Sequence, residues 1–554
     1  MEPDVIIVGG GPAGLMLAAE LRLGGVRPLV LERNPQLGHT PNANGLGGQI
    51  IELLRYRGLF EKFASVAVDA DPTPIYPFGG VHVDLTGLTD PPLTGIKLEH
   101  PSVDRVLELD AIELGADIRY GHRVVGVQQD DDGVTAEVEG PDGPVRLRAR
   151  FLVGCDGAYS RIRDMAGIAF PGVTYPEVNR LAEVAVHGSV TVLENGDLEV
   201  RDEGAAADGG AAASGDATPD GPTTTRRVAA GFTRTEHGVF AMGSMSPGTL
   251  MVQTIEDGPA EPVPWREEPP ATMEDLGESI RRVLGHDVPL GEPRRLSRYQ
   301  HSARQAKHYR AGRILLAGDA AHVLPATGIA RSVGMLDAVH LAWRLAAEIH
   351  GWAPDGLLDG YHDERHLAGG RALLQTRAQV ALRRGHDEAA DALRAVFQEL
   401  LQDEQPQRRL AALISGADVR YPEPTGVVGG AGGRTAPGGA GHAVGPDDDR
   451  HPLAGRFVPD LPLRTDAGPT SVGAYLQTAR PVLLVLADRP ELLEVAEPWR
   501  ERVDLRRADT DERPADALLI RPDAHVAWAT DVDAPADVAG PALIRALERW
   551  FGRP

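Results

Sequence analysis

The residues best suited to do chemistry stand at the amino end, where Asp4 to Val8 runs into Gly9-Gly10-Gly11-Pro12-Ala13-Gly14 and Glu32 follows 18 residues after Gly14. A GxGxxG turn set between a strand and a helix cradles a pyrophosphate. Gly9 permits the tight turn, Gly11 lets main-chain N–H groups approach the phosphates, and Gly14 lets the helix pack on the strand. Glu32, ending the next strand, can accept both hydroxyls of a ribose. Two further sites deliver carboxylates: the run Arg313 to His322, in which Gly318-Asp319 follows a buried strand, and the run Gly154 to Arg163, in which Asp156 precedes Gly157. Taken singly, Asp319 is equally a helix N-cap and Asp156 an Asp-Gly turn. The glycine turn with its flanking elements specifies a dinucleotide, without separating a flavin from a nicotinamide.

These residues need elements to hold them. Asp4 to Val8 reads as a buried parallel strand, Ala13 to Leu23 as a helix through Leu17, Leu21 and the alanines between, and Pro28 to Leu31 as the next strand, one βαβ unit. From Asp104 to Ile118, the residues Val106, Leu107, Leu109, Ala111 and Leu114 predict a helix, followed by a strand and a meander over 123–153. The stretches 69–99 and 170–300 read as strands of another sheet, a separate lobe. Within it Gly204 to Thr224 is almost wholly Ala, Gly, Asp, Ser, Thr and Pro, the composition of a disordered insertion. Gly356 to Leu413 is mostly helical, and Thr425 to Arg450 is a glycine-rich linker. A last domain follows, with a strand Pro481 to Ala487, a helix Pro490 to Trp499, a strand Val503 to Ala508, and a hairpin Ala517 to Thr530 turning at Pro522-Asp523-Ala524.

The chain has 554 residues, with 56 Lys plus Arg against 80 Asp plus Glu, a formal charge of −24. Such a surface repels phosphate backbones and anionic lipid, so neither nucleic acid nor membrane is an expected partner. The basic pairs Arg226-Arg227 and Arg383-Arg384 are too short to change that. The single cysteine, Cys155, forms no intrachain disulfide, which fits a reducing cytoplasm. No apolar run is long enough to span a bilayer, and the first residues lack a secretory signal, so a cytoplasmic location is expected. The 18 histidines show no metal-ligand spacing, so no metal site is proposed, and His322, His340 and His350 read as capping or surface residues.

In their order along the chain, the glycine turn, Asp156-Gly157 and Gly318-Asp319 resemble the group A flavoprotein monooxygenases. The resemblance implies FAD as cofactor, Asp319 on its ribityl chain, and Asp156 supporting FAD and a passing NADPH or NADH. It also implies that Arg33, Asn42, Leu46, His100, Arg105, Val124, Pro325, Gly328, Ile329, Ala330 and Arg331 surround the cofactor. The implied fold is α/β, of the p-hydroxybenzoate-hydroxylase type. It has a Rossmann-like FAD domain over 1–68, 100–169 and 301–370, and an interleaved β-sheet substrate domain over 69–99 and 170–300. A helical segment 371–424 and the linker 425–450 lead to a thioredoxin-like domain over 451–554. The run Leu518 to Trp528 resembles the three-domain branch that hydroxylates polyketides, rifamycins and phenols. Because 451–554 contains no cysteine, that domain is expected to be redox-silent, structural or oligomer-forming.

The chain departs from this family between Pro325 and Ala338, where Ile329 and Arg331 place bulk at positions that carry glycine and asparagine in the hydroxylases. Asn42 and His100 also stand where relatives often carry arginine and glutamine. The bulk either obstructs the swing of the flavin ring, or Arg331 balances charge at its N1–C2=O edge. The first reading is an FAD-dependent monooxygenase acting on a large apolar secondary metabolite of polyketide type in antibiotic biosynthesis. The second is a redox-neutral, FAD-containing cyclase that folds a linear polyene for a [4+2] addition, resembling the decalin-forming cyclase of pyrroindomycin-type biosynthesis. A noncatalytic FAD-containing assembly protein is a third. No catalytic residue is assigned, and a monomer or homodimer is expected.

Overall fold

Val5, Ile6 and Ile7 have no exposed surface, and a strand covered on both faces is apolar at every position rather than at alternate ones. In this computed structural model, which describes residues 2–37, 45–73, 75–98, 102–202, 224–246, 248–258, 270–325, 329–385, 387–423 and 450–554, that strand lies inside a six-stranded sheet. The strand order is Arg310–Ala311, Ile314–Leu316, Phe151–Gly154, Val5–Val8, Pro28–Leu31, Asp117–Arg119. All pairings are parallel except the edge pair Arg310–Ala311 with Ile314–Leu316. Val8 pairs with Gly154, and Gly154 with Leu316, so three strands end in register. The loops starting at Gly9, Cys155 and Ala317 therefore leave the carboxyl edge side by side, where open α/β sheets bind ligands.

The helix Pro12–Leu23 is buried from Gly14 to Leu21, and the helix Ala330–His350 is buried over most of its length. Helices apolar nearly all round belong inside a protein. The expected meander is present as Arg123–Gln129, Val134–Gly140 and Gly143–Ala149, antiparallel throughout. The helix read over Asp104 to Ile118 runs Ser102–Glu113, with Gly115 at φ 88° beyond its end.

Contacts divide the chain into two units, one of 1–172, 303–380 and 397–554, the other of 173–302 and 381–396. The strands Ala67–Thr73, Ile75–Phe78, Val81–Asp84 and Gly95–Leu98 fall in the first. In the second, a sheet runs Gly231–Thr235, Gly238–Ser246, Thr249–Glu256, Gly172–Ala185, Pro293–Gln305 in spatial order. The helix Met273–Leu284 covers one face of it, burying Leu276, Ile280 and Val283 against Ala182, Val184, Phe240, Met242, Leu250 and Val252. That helix is set locally: the Thr272 side chain accepts from the Asp275 N–H at 3.1 Å, and Gly285 closes it at φ 78°.

In the last domain the expected elements form as Val482–Val485, Pro490–Ala496 with a 3-10 turn to Trp499, Asp504–Arg507, and the hairpin Ala517–Ile520 with Val526–Thr530. The strand Val482–Val485 lies between Asp504–Arg507, parallel, and Ala517–Ile520, antiparallel. A helix Ala536–Phe551 closes the domain, although Pro541 lies inside it. Of the segments expected as an insertion, 204–224, and as a linker, 425–450, residues 204–223 and 425–449 lie outside the described residues, and Thr224 begins the strand Thr224–Val228. Among the described residues no helix is long and apolar enough to cross a membrane.

Candidate functional site

The glycine turn is built by steric exclusion. Gly9 sits at φ +111°, where an added Cβ would stand 2.3 Å from the Cys155 carbonyl oxygen. At Gly14 it would stand 2.1 Å from the Gly9 oxygen, so helix and strand touch there through bare backbone. Gly11 is the opposite case: an added Cβ would meet nothing within 4 Å. That space opens on the start of the helix Pro12–Leu23, whose first-turn N–H groups have no side-chain cap and whose dipole favours an anion. Glu32 is fixed beside it, Oε2 accepting from the Gly10 N–H and Oε1 from the Asn34 N–H, both at 2.8 Å.

Gly11, Pro12, Ala13, Gly318, Asp319, Ala330 and Arg331 line one cavity of about 200 Å³, bringing together residues from both ends of the FAD motif set. Gly318 is at φ +64°, and an added Cβ would come within 3.0 Å of the Ala13 Cβ. Asp319 is exposed to this cavity yet ringed by protein. Desolvation pushes its carboxyl above the usual carboxylate range, although His322 and Arg331 draw it down. Desolvation likewise lowers the pKa of Arg331, against the pull of Asp104 and Asp319. The bare backbone of Gly11 and Gly318 and the carboxylate of Asp319 line the same cavity, a set that fits the phosphates and polyol of FAD.

Asp104 also lines this cavity and is missing from the sequence reading. It is 3% exposed, its Oδ1 has no hydrogen-bond partner, and burial pushes its carboxyl up to about 6, against Arg331. A charged residue between Val103 and Val106, on the apolar side of a helix, was the available signal.

The remaining sequence assignments scatter. Leu46 and Val124 are packed in the core cluster. Pro325 is buried, Arg33 is exposed, and Arg105 pairs with Glu108. Ile329 precedes the helix Ala330–His350 and borders a separate small cleft with Leu413 and Val419. The Asp156 carboxylate accepts from Ser160 Oγ at 2.5 Å and from the Arg161 and Ile162 N–H groups at 2.8 and 3.1 Å, at the start of a short helix. Its neighbours Cys155 and Gly157 line the cavity instead. Asn42, His100 and Gly328 lie outside the described residues.

Two histidines read as capping or surface residues are corrected. His322 has no exposed surface, and its Nε2 lies 2.7 Å from Asp337 Oδ2. His340 is 1% exposed. Both face inward because carboxylates from distant segments compensate their polarity, which local patterning does not report. His350 is at the surface, 2.9 Å from the Gly24 oxygen. Asp337 also accepts from the Gly318 N–H at 3.0 Å and from Arg365 Nε at 2.7 Å. Burial alone would raise its carboxyl, but His322 and Arg365 outweigh that and hold it low. An ionised Asp337 thus fixes the turn that presents Asp319.

Further along, Arg521 donates to both oxygens of Glu364, at 2.7 and 2.8 Å, and to both of Asp523, at 2.9 and 2.7 Å. His340, Asp523 and His525 place ligand-capable atoms within 4.8 Å of one another, but Arg521 and Trp343 Nε1 already occupy the Asp523 carboxylate. The last domain is thereby tied to the helices that follow the flavin turn.

Residues 2–376 match the family described as FAD binding domain, and residues 451–554 the family described as aromatic-ring hydroxylase, C-terminal. The chain is 35% identical over 577 residues to the 12-dehydrotetracycline 5-monooxygenase/anhydrotetracycline 6-monooxygenase of Streptomyces rimosus, covering 100% of each. It is 34% identical over 554 residues to the dialkyldecalin synthase of Streptomyces rugosporus, covering 100% of this chain and 99% of that one. A solved anhydrotetracycline hydroxylase from Streptomyces rimosus superposes with a TM-score of 0.81 at 35% identity, over 100% of both chains. With its cofactor groove, its cysteine-free last domain and end-to-end similarity of this kind, the chain belongs to the FAD-dependent aromatic-ring hydroxylase family, an enzyme with FAD as its cofactor.

Proposed function

We propose that this enzyme inserts one oxygen atom into a large, mostly apolar polyketide-type metabolite in antibiotic biosynthesis. The observation that carries this reading is the single cavity joining Gly11 to Asp319, in a chain similar along its whole length to tetracycline-pathway monooxygenases. FAD, when bound, supplies acceptance of hydride from NADPH or NADH and activation of oxygen. The chain's own residues do the rest. The N–H groups from Gly11 onward bind the diphosphate, Glu32 the ribose and Asp319 the ribityl hydroxyls. Asp337, through the Gly318 N–H, keeps Asp319 aimed. In this reading the FAD domain comprises 1–68, 100–169 and 301–370, the sheet of 170–300 supplies a substrate wall, and 451–554 is structural.

A second reading, a redox-neutral cyclase acting on a linear polyene, is favoured by the similarity to the dialkyldecalin synthase and by Arg331 in the cofactor cavity. Anaerobic stopped-flow reduction by NADPH, with and without anhydrotetracycline as a trial polycyclic substrate, separates the two. Substrate-stimulated reduction, followed on admission of oxygen by a product one oxygen heavier, supports the monooxygenase. A product of unchanged mass, formed from a linear polyene offered in parallel and without NADPH consumption, supports the cyclase.

A further inference from the structure

Asp104, Asp319 and Arg331 are the charged side chains among the described residues that line the cofactor cavity. The diphosphate of FAD adds two negative charges beside the first turn of the helix Pro12–Leu23. With both carboxyls ionised, the filled cavity would set four negative charges against the one cation of Arg331. The helix dipole offsets only about half a charge of that excess. Like charges at close quarters push a carboxyl toward its neutral form.

The two carboxyls are not equivalent. Asp319 has both His322 and Arg331 drawing it toward ionisation, and as a carboxylate it can accept from ribityl hydroxyls. Asp104 lacks that support. It is 3% exposed, its Oδ1 has no hydrogen-bond partner, and Arg331 alone draws it down against its burial. The other charges around the helix Ser102–Glu113 are already paired. Glu108 holds Arg105 and Tyr120, Lys62 holds Asp110 and Glu113, and Glu20 of the neighbouring helix Pro12–Leu23 holds Arg57. Cys155, the remaining ionisable group on the cavity wall, is kept a neutral thiol by burial. A buried acceptor facing the acceptor oxygens of a cofactor is unfavourable, whereas the same group carrying a proton becomes a donor to them.

We propose that FAD binding takes up one proton from solvent, that Asp104 keeps it, and that the neutral carboxyl donates through it to an oxygen of the cofactor. One O–H bond forms on Asp104, the buffer supplies the proton, and no other bond changes. The proposal rests on the placement of the diphosphate at Gly11 given above. Gly14→Ala tests that placement separately, and none of the measurements requires turnover.

The test uses the full-length protein. At pH 8 the infrared difference between holoenzyme and Asp104→Asn holoenzyme should contain a carboxylic-acid carbonyl band that shifts in D2O. Calorimetric reconstitution of the apoprotein with FAD, in buffers of unlike ionisation enthalpy, should register uptake of about one proton per FAD, and affinity should fall roughly tenfold per pH unit between pH 7 and 8.5. FAD itself does not titrate in that range. In Asp104→Asn, which keeps a donor of the same shape, both the uptake and the pH dependence should vanish with FAD still bound. Asp104→Leu, with no donor, should be equally insensitive to pH and bind FAD about tenfold more weakly than Asp104→Asn. Should the apoprotein not take FAD back, the infrared band decides. A holoenzyme without that band, no proton uptake at pH 8, uptake that persists in Asp104→Asn, or equal affinity of the Asn and Leu variants overturns the proposal.

Discussion

Replacing Arg521 with methionine should loosen the attachment of the last domain more than any surface change. Arg521 is 1% exposed, spans Glu364 and Asp523, and lies with its guanidinium carbon 4.6 Å from the Trp550 ring centre. Glu364 also accepts from Arg344 Nη2 at 2.8 Å, so Arg344, Arg521, Glu364 and Asp523 form two cations against two anions. Methionine keeps the apolar stem and removes one cation, leaving a buried net charge of about −1. Removing one partner of a buried pair costs roughly 3–5 kcal/mol, two to four powers of ten in an unfolding equilibrium. The assay is urea titration followed by the fluorescence of Trp343 and Trp550, reading the first transition. Adding Glu364→Gln restores the balance, because Arg344 and Asp523 remain 3.5 Å apart, so the double variant should regain about 1 kcal/mol or more. The pH dependence has a defined sign. Burial would raise both carboxyls, but Arg344 and Arg521 beside Glu364, and Arg521 and His340 beside Asp523, hold them well below the usual range. Their contribution is therefore complete above the ordinary carboxylate pKa and lost on acidification through the depressed values. In Arg521→Met a carboxylate returns to a higher pKa, so the deficit should grow as pH rises toward neutrality. A loss under about 1 kcal/mol, or a double variant less stable than the single, would refute the reasoning.

Gly14→Ala should weaken FAD binding by about 5- to 150-fold, because its Cβ would lie 2.1 Å from the Gly9 oxygen and overpacking of this kind costs roughly 1–3 kcal/mol. Gel filtration checks it: the variant should elute colourless with unchanged far-ultraviolet dichroism. Asp104→Asn should stabilise the apoprotein by up to ~3 kcal/mol above pH ~6, since the raised carboxyl penalises folding as pH climbs from its unfolded value through about 6. The gain should vanish below pH ~4, and urea titrations at both extremes would expose an error of sign. Arg331→Asn should lower the flavin midpoint potential by roughly 20–60 mV, by removing a cation that favours an anionic reduced ring. Dye-coupled reduction measures this, and an unchanged potential places Arg331 away from the ring.

The cofactor frame was legible because its signals are local. A continuous apolar run, glycines that exclude any side chain, and an acid at the end of the next strand lie within 32 residues of the amino end. Gly318 and Asp319 were legible for the same reason, as a strand followed by a turn. Asp104 escaped because a helix read for its apolar spacing gives no reason to look at the acids on its buried side, where Glu108 and Asp110 lie as well. The helix Ala536–Phe551 was obscured by Pro541. His322 and His340 were misplaced because their burial depends on Asp337, Glu364 and Asp523, and the last pairs with Trp343 across 180 residues of chain. Pairings of that span leave no periodicity to read.

The four-charge knot around Arg521 also bears on recombination between paralogues. A chimera taking its flavin half from one parent and its carboxyl-terminal half from another inherits Trp343, Arg344 and Glu364 from the first donor, and Arg521 and Asp523 from the second. Parents that solved this joint differently would yield hybrids with an orphaned ion sealed inside. Shuffling libraries built from this chain should therefore exchange those five positions as one block, wherever the crossover is cut.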